Sequence, residues 1–288
     1  MRVLLYGARG YLGRYLAQLL ASRAEVFEGQ ARGEHADKVD AEIEAAQPDV
    51  LLVCIGRTHG PGAINIDYLE QPQSLKENLK DNLEAPLTLA RLGHARGLHT
   101  VFVGTGCIYH SVYDTAGHAT SPPFTEDDPP NFSESAYSAV KATSDRLMQP
   151  YHAHVLNLRI RLVLGPEAHP RNTLTKLISY PRICSLDNSV TTLSLFDECL
   201  WPLLEQRATG NLNFTHPGVV SQAFILEAFA DCHPTALRPT YITPEELAAL
   251  LPARRSNCVL STQRLEHVCP SITPAREAVL RTVRRYPT

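Results

Sequence analysis

The sequence lacks the features that would direct the chain to a membrane or to nucleic acid. Its apolar runs are short, and the N-terminal segment MRVLLYGARGYLGRYL is soon interrupted by glycines and arginines. This pattern argues against a signal peptide or a membrane span and favours a cytoplasmic location. The 27 lysines and arginines are balanced by 30 acidic residues and form no basic tract, so we expect no membrane partner and no nucleic-acid partner.

The sequence also lacks the cysteine spacings of metal sites and disulfide frameworks. It has seven cysteines, an odd number without CxxC or HxxxH patterns, which favours free thiols and predicts no metal. We find no internal repeat, and a hydrophobic content of 44% is ordinary for a folded protein. The 288 residues can form one large domain or two modest ones. The oligomeric state does not follow from the sequence, and a homodimer is one option.

Short apolar segments alternate with segments of helical period over residues 1–165. Continuous apolar strands separated by helices are typical of a parallel sheet covered by helices on both faces. We therefore predict an α/β fold with a doubly wound parallel sheet of the Rossmann type over 1–165, with a returning strand within 211–235. The remainder, 166–210 and 236–288, is predicted to form a smaller substrate-binding lobe. The predicted strands are RVLLYG, AEVFEG, DVLLVCIG, HTVFVG and HVLNLRIRLVLG, and a long helical segment is predicted from about Gln73 to Arg96.

The first predicted strand leads directly into the turn GARGYLG, which opens a helix. Glycines with this GxxGxxG spacing permit a tight turn and let backbone N–H groups approach a pyrophosphate. The second strand lacks an acidic residue at its end to bind a ribose 2′-hydroxyl, although Glu28 is close. Arg9 and Arg32 could bind a 2′-phosphate or could be solvated loop residues, and we favour NADPH over NADH. The cofactor-binding residues predicted around this turn are Gly7, Arg9, Gly10, Tyr11, Leu12, Gly13 and Arg32.

Tyr137 and Lys141, four residues apart, define a candidate catalytic helix. Residues i and i+4 share one face of a helix, and a neighbouring ammonium favours the phenolate form of a tyrosine. Thr105 lies at the end of the fourth predicted strand, where its hydroxyl could donate a hydrogen bond to a substrate carbonyl. Cys107, two residues later, is either a reacting group or a small buried filler.

Together these motifs resemble the extended short-chain dehydrogenase/reductase superfamily. Several passages are similar to one branch of it, the nucleotide-rhamnose synthase/epimerase-reductases, and to the C-terminal domain of plant rhamnose synthases. The similarity is collinear and covers nearly the whole chain. Two departures from the branch are AYSAVKA in place of FYSxTKA and the longer turn GRTHGPG in place of a VTG-type turn. The passages that carry the resemblance are GTGCIY, FTEDDPPNFSESAYSAVKA, LRIRLVL, HPRNTLTK, NFTHPGVVS and RSN.

The resemblance implies a bifunctional 3,5-epimerase/4-keto-reductase that converts the nucleotide sugar UDP-4-keto-6-deoxy-D-glucose to UDP-β-L-rhamnose with NADPH. It implies that Cys107 and Lys176 transfer protons on opposite faces of the sugar. It further implies that Lys141 binds the nicotinamide ribose of the cofactor and that Asn82 supports the geometry of the active site. Substrate contacts are expected from Asn172, Arg255 and Asn257.

Two other functions remain open from the sequence. One is a reductase that acts on a keto sugar with a dTDP or GDP carrier and does not epimerise, in which case Cys107 is structural. The other is a non-catalytic regulatory subunit that retains the nucleotide-binding fold. The presence of both Tyr137 and Lys141 argues against the second.

Overall fold

The structure is a computed structural model that describes residues 1–234 and 238–287. The strands in the described part are β1 (Arg2–Tyr6), β2 (Glu25–Gly29), β3 (Val50–Val53), β4 (His99–Thr105), β5 (Val155–Ile160), β6 (Val163–Leu164), β7 (Arg182–Ile183), β8 (Thr191–Thr192), β9 (Gly210–Asn213) and β10 (Thr240–Tyr241). The α-helices there are α1 (Tyr11–Leu20), α2 (Ala36–Ala46), α3 (Leu75–Leu79), α4 (Ala85–Ala95), α5 (Ala136–Met148), α6 (Thr173–Leu177), α7 (Leu193–Glu205), α8 (Gln222–Cys232), α9 (Pro244–Leu250), α10 (Gln263–Val268) and α11 (Ala275–Arg284). Short 3₁₀ turns lie at Ile66–Glu70, Pro72–Ser74 and Gln149–Tyr151.

The main sheet has six strands in the order β2-β1-β3-β4-β5-β9. β1 pairs in parallel with both β2 and β3, and β3 pairs in parallel with β4. β1 and β3 are almost entirely buried, as expected for central strands with helices on both faces. The predicted α/β fold with a doubly wound parallel sheet is confirmed.

The chain divides into two compact units, which we describe separately. The nucleotide unit comprises Met1–Thr105, Ser135–Arg159 and Pro202–Leu212, and the lobe unit comprises Gly106–Glu134, Ile160–Trp201 and Asn213–Thr288. This division differs from the predicted boundary at residue 165, because the chain leaves the sheet at the end of β4 and again after β5. Residues 235–237, where the predicted returning segment meets the last part of the predicted lobe, lie outside the described residues.

One predicted strand is wrong in its extent. The segment HVLNLRIRLVLG was predicted as a single buried strand, but β5 ends at Ile160 and β6 begins at Val163. Leu162 has a φ of 37°, in the left-handed region that a leucine rarely adopts. β6 pairs with β8 and not with the main sheet. Arg161 therefore lies in a break between two strands.

The long helical segment predicted from about Gln73 to Arg96 contains an irregular turn. α3 and α4 are joined by a π-helical turn at Lys80–Glu84, a feature that often occurs at functional sites. Asn82 lies in this turn and is fully buried. Within the described residues, we find no helix with the length and hydropathy needed to cross a membrane.

Candidate active site

In the turn between β1 and α1, backbone segments pack as closely as in a pyrophosphate-binding turn. Gly7 has a φ of 82°, and a Cβ on it would lie 2.9 Å from the carbonyl oxygen of Cys54. A Cβ on Gly13 would lie 2.1 Å from the carbonyl oxygen of Gly7, so only glycine lets α1 begin this close to the turn. None of the described side chains caps α1 after Gly10, and the N-terminus of a helix favours an anion.

A cavity of about 240 Å³ adjoins this turn in the nucleotide unit. Arg9 and Arg32 line it, and Arg9 donates a hydrogen bond to Gln30 Oε1 at 2.6 Å. Glu34, also in its wall, forms ion pairs with Arg32 and with Lys80. Partial burial acts to raise the pKa of Glu34, but the hydrogen bond from Lys80 outweighs it and lowers that pKa. Of the other predicted cofactor residues, Gly7 and Gly10 line the cavity, whereas Tyr11, Leu12 and Gly13 form the first turn of α1.

The second feature of the nucleotide unit is the start of α5, which carries Tyr137 and Lys141. Ser135 caps the helix, since its Oγ accepts the N–H of Ser138 at 3.1 Å. Tyr137 and Lys141 lie one turn apart, and each is only 8% exposed. Thr105 is the last residue of β4 and is 7% exposed. Thr105 and Lys141 line the same small cavity, so the end of β4 and the face of α5 meet where the sequence predicted a catalytic group.

Asn82 is connected to the start of α5 by hydrogen bonds through Asn78. Its Nδ2 donates to Asn78 Oδ1 at 2.9 Å, and Asn78 Nδ2 donates to the carbonyl oxygen of Ala136 at 3.0 Å. Glu70 Oε1 accepts the N–H of Ala136 at 2.9 Å. The backbone just before Tyr137 is thus held on both sides, and Asn78 and Glu70 are positioning residues that the sequence reasoning missed.

Cys107 lies in the lobe unit and is partly exposed. Its Sγ accepts a hydrogen bond from Nη1 of Arg161 at 2.8 Å. Arg161 is 2% exposed. Burial acts to lower the pKa of Arg161, but its interactions with Cys258 and Cys107 outweigh burial and raise that pKa. The contact with a guanidinium distinguishes Cys107 from an apolar filler.

The sequence reasoning missed Arg161, although one signal was available. In the segment LRIRLVL, two arginines occur in a run that otherwise reads as a buried apolar strand. A buried arginine requires specific partners. That requirement draws attention to Arg159 and Arg161, and Arg161 contacts Cys107, the predicted proton-transfer group.

Lys176 lies on α6, also in the lobe unit, and is half-buried. Burial, together with the nearby charge of Arg171, lowers the pKa of Lys176 to about 8. An amine with this pKa can give or take a proton near neutral pH. The pKa of Lys176 is therefore closer to neutrality than that of a solvated helix lysine, which suits acid–base chemistry.

Asn172 is fully buried and caps α6. Its side chain makes four hydrogen bonds, all to backbone groups: Oδ1 accepts from Leu174 and Gly165, and Nδ2 donates to the carbonyls of Gly165 and Glu167. These bonds fix the loop that leads into α6. Direct substrate contact through this side chain, as the resemblance implied, would require some of them to break.

A larger cavity of about 840 Å³ lies within the lobe unit. Arg255 and Asn257 line it, as do the aromatic side chains of His110 and Tyr113. Asn257 Oδ1 accepts a hydrogen bond from Asn188 Nδ2 at 3.0 Å, which fixes its amide. A guanidinium beside aromatic rings suits a ligand that has both phosphates and a planar base.

A parallel sheet with a glycine turn after β1 and a Tyr-Lys pair on α5 defines a nucleotide-dependent enzyme of the dehydrogenase class. The NAD dependent epimerase/dehydratase family matches residues 3–189. The chain belongs to this family, which confirms the predicted superfamily. An NAD(P) cofactor follows from membership, and the turn and cavity of the nucleotide unit fit such a cofactor.

Comparison with individual proteins places the chain near rhamnose-forming enzymes. It is similar to the UDP-rhamnose synthase of Acanthamoeba polyphaga mimivirus, with 38% identity over 99% of both chains and a TM-score of 0.94. It is 31% identical to the bifunctional dTDP-4-dehydrorhamnose 3,5-epimerase/dTDP-4-dehydrorhamnose reductase of Arabidopsis thaliana, over 97% of this chain and 91% of that protein. The dTDP-4-dehydrorhamnose reductase of Bacillus anthracis, solved with NADP, shares the fold at 14% identity, with a TM-score of 0.78 over 98% of each chain. The predicted resemblance to the rhamnose branch is confirmed.

Proposed function

We propose that the protein converts UDP-4-keto-6-deoxy-D-glucose to UDP-β-L-rhamnose by inverting C3 and C5 and reducing C4 with NADPH. The observation that carries this proposal is the end-to-end similarity to a UDP-rhamnose synthase, at 38% identity and a TM-score of 0.94. The side chains support it. Thr105, Tyr137 and Lys141 are suited to the reduction, and Cys107 and Lys176 are suited to the proton transfers.

The inversion steps use the acidity of hydrogens next to a ketone. Cys107 takes a proton from the carbon: the C–H bond breaks, an S–H bond forms, and the electron pair enters the enolate. Lys176, as an ammonium, returns a proton to the same carbon from the other face, which inverts it. Both groups then exchange protons with water before the second carbon reacts.

The keto oxygen needs hydrogen-bond donors while the enolate carries its charge. Thr105 and Tyr137 supply hydroxyl donors for that oxygen. Lys141, one turn from Tyr137, favours the ionised phenol and so tunes it as an acid. When bound, NADPH supplies the hydride that reduces C4, and Tyr137 then gives its proton to the new alkoxide.

The nucleotide part of the substrate is assigned to the cavity of the lobe unit. Arg255 is suited to the diphosphate because a guanidinium binds phosphate oxygens in pairs. Asn257, fixed by Asn188, supplies an amide to the same cavity. Asn172 contributes by holding the loop before Lys176 through its backbone bonds.

The preference for NADPH is assigned to Arg9 and Arg32. Both line the cavity next to the glycine turn, and guanidinium groups there favour a 2′-phosphate over a free hydroxyl. We expect Arg32→Gln to raise the KM for NADPH by about tenfold, as for loss of one charged hydrogen bond, with little change in the KM for NADH. Equal changes for both cofactors would contradict this assignment.

The experiment that tests the function is a product analysis. The purified protein is incubated with NADPH and UDP-4-keto-6-deoxy-D-glucose, and the product is identified by NMR. We expect UDP-β-L-rhamnose. A 4-reduced sugar with the original configuration at C3 and C5 would identify a reductase only, and no NADPH oxidation with UDP-, dTDP- or GDP-linked keto sugars would identify a non-catalytic protein.

A further inference from the structure

Arg161 is a buried cation that lacks an acidic partner among the residues that the structure describes. Nη2 donates to Asn188 Oδ1 at 2.5 Å and to the carbonyl oxygen of Ser256 at 3.1 Å. Nη1 donates to Ser256 Oγ at 3.3 Å and to Cys107 Sγ at 2.8 Å. Nε is buried and has no hydrogen-bond partner there. All of these partners except the sulfur are neutral at any ordinary pH.

Arg159, only two residues earlier, shows the usual solution for a buried arginine. It is 1% exposed and forms two hydrogen bonds of 2.8 Å with the carboxylate of Asp145. A buried charge is costly unless an opposite charge and hydrogen bonds accompany it. The comparison indicates that Arg161 requires a negative charge from a group other than a carboxylate.

Cys107 is the group in contact with Arg161 that can carry this charge. Two other ionisable groups interact with Arg161, namely Cys258 and Tyr113. Each of them donates its own proton, Cys258 to the carbonyl oxygen of Gly106 at 3.3 Å and Tyr113 to the carbonyl oxygen of Asp187 at 2.9 Å. Burial also raises the pKa of Cys258 to about 11. These two groups therefore keep their protons, which leaves Cys107 Sγ, at 2.8 Å from Nη1 of Arg161, as the atom that can supply the charge.

We propose that Arg161 is a positioning residue that holds the sulfur of Cys107 as a thiolate and directs it as the base of the epimerisation. A guanidinium does not deprotonate in proteins, so Arg161 keeps its protons while the sulfur gains and loses one. The catalytic part of this inference rests on the proposed function. The charge state of the sulfur does not, and it can be tested without substrate.

The first test measures the reactivity of the thiol in the full chain. Iodoacetamide reacts with thiolates, so we expect Arg161→Met to slow alkylation of Cys107 by about tenfold or more at neutral pH. Arg161→Lys keeps the charge and should restore much of the rate. Peptide mass spectrometry measures the alkylation of each cysteine separately. The exposed Cys232 serves as the internal reference, and alkylation of the buried Cys199 would report unfolding. An unchanged rate for Cys107 in folded Arg161→Met would overturn the proposal.

A milder variant covers the case in which Arg161→Met does not fold. Ser256→Ala removes one hydrogen bond from Nη1 of Arg161 and retains the cation. We expect a smaller decrease in the alkylation rate of Cys107 than in Arg161→Met, with Cys199 still protected. Faster alkylation of Cys107 in folded Ser256→Ala would contradict the proposal that the hydrogen bonds of Arg161 hold Cys107 as a thiolate.

The second test separates positioning from general damage to the site. We expect Arg161→Met to lose deuterium exchange at C3 and C5 of the keto sugar in heavy water, while reduction of an already epimerised UDP-4-keto-L-rhamnose is largely retained. Equal loss of both activities would indicate a structural role only. If the wild-type protein exchanges deuterium into no keto sugar, the proposed function is wrong, whereas the alkylation result still decides the state of the sulfur.

Discussion

Tyr137 and Lys141 are the residues whose roles the sequence predicted from their spacing together with the glycine turn, the strands and Thr105, and their side chains are nearly buried on α5. Tyr137→Phe removes the proton donor proposed for C4 but should leave the helix intact. We expect NADPH oxidation to fall by a factor of about 100 or more, the usual contribution of an acid–base group. Deuterium exchange at C3 and C5 should fall less. Near-normal hydride transfer in this variant would exclude Tyr137 as the acid.

The proposed role of Lys176 as a proton donor gives the epimerisation a pH dependence of defined sign. Burial lowers the pKa of Lys176 to about 8, so the ammonium that donates a proton is present below that pH and is lost above it. We therefore expect the exchange of deuterium at C3 and C5 to be lost as the pH rises above about 8. The measurement is the exchange rate of wild type across this range, with Lys176→Gln as the inactive reference. A rate that instead increases through this range would show that the neutral amine is the active form.

The position of a residue on a helix could be predicted from sequence spacing. Contacts between residues that are distant in the sequence could not be predicted, because they depend on the tertiary structure. The i, i+4 rule by itself places Tyr137 and Lys141 on one face of a helix. The contact between Arg161 and Cys107 joins residues 54 positions apart, which no local pattern encodes. The four backbone bonds of Asn172 likewise depend on how its loop folds.

Among the secondary-structure elements, the β1–α1 turn is the most sensitive to a single methyl group. A Cβ on Gly13 would lie 2.1 Å from a backbone oxygen, whereas a Cβ on Gly10 would lie 3.2 Å from the same atom. We expect Gly13→Ala to destabilise the protein by about 1–3 kcal/mol, as overpacking does, and to weaken NADPH binding strongly. Gly10→Ala is the matched variant and should have a smaller effect on thermal unfolding. The reverse order of the two variants would contradict the close approach of α1 to the turn.

The elements were predicted well where the hydrophobic pattern is regular. β1, β2, β3, β4 and α5 all lie where apolar runs or helical periodicity placed them. The single strand predicted over HVLNLRIRLVLG failed, because an apolar run does not show that Leu162 adopts a left-handed conformation and turns the chain away from the sheet. The π-helical turn around Asn82 was missed for a similar reason: one extra residue in a turn barely alters the periodicity.

At the scale of the whole molecule, the two compact units carry different parts of the chemistry. The nucleotide unit contains the glycine turn, Thr105, Tyr137 and Lys141, to which the proposed function assigns the reduction. The lobe unit contains Cys107 and Lys176, to which the proposed function assigns the proton transfers. The predicted boundary at residue 165 differs from this division, in which the lobe unit begins at Gly106, immediately after β4.

The measurement that tests the central claim most directly is the position of deuterium in the product. The reaction is run in heavy water with UDP-4-keto-6-deoxy-D-glucose and unlabelled NADPH, and the product is analysed by NMR. We predict UDP-β-L-rhamnose with deuterium at C3 and C5 and hydrogen at C4, and no deuterium at C3 or C5 when Cys107→Ser replaces wild type. A reduced product from wild type that carries only hydrogen at C3 and C5 would contradict the account.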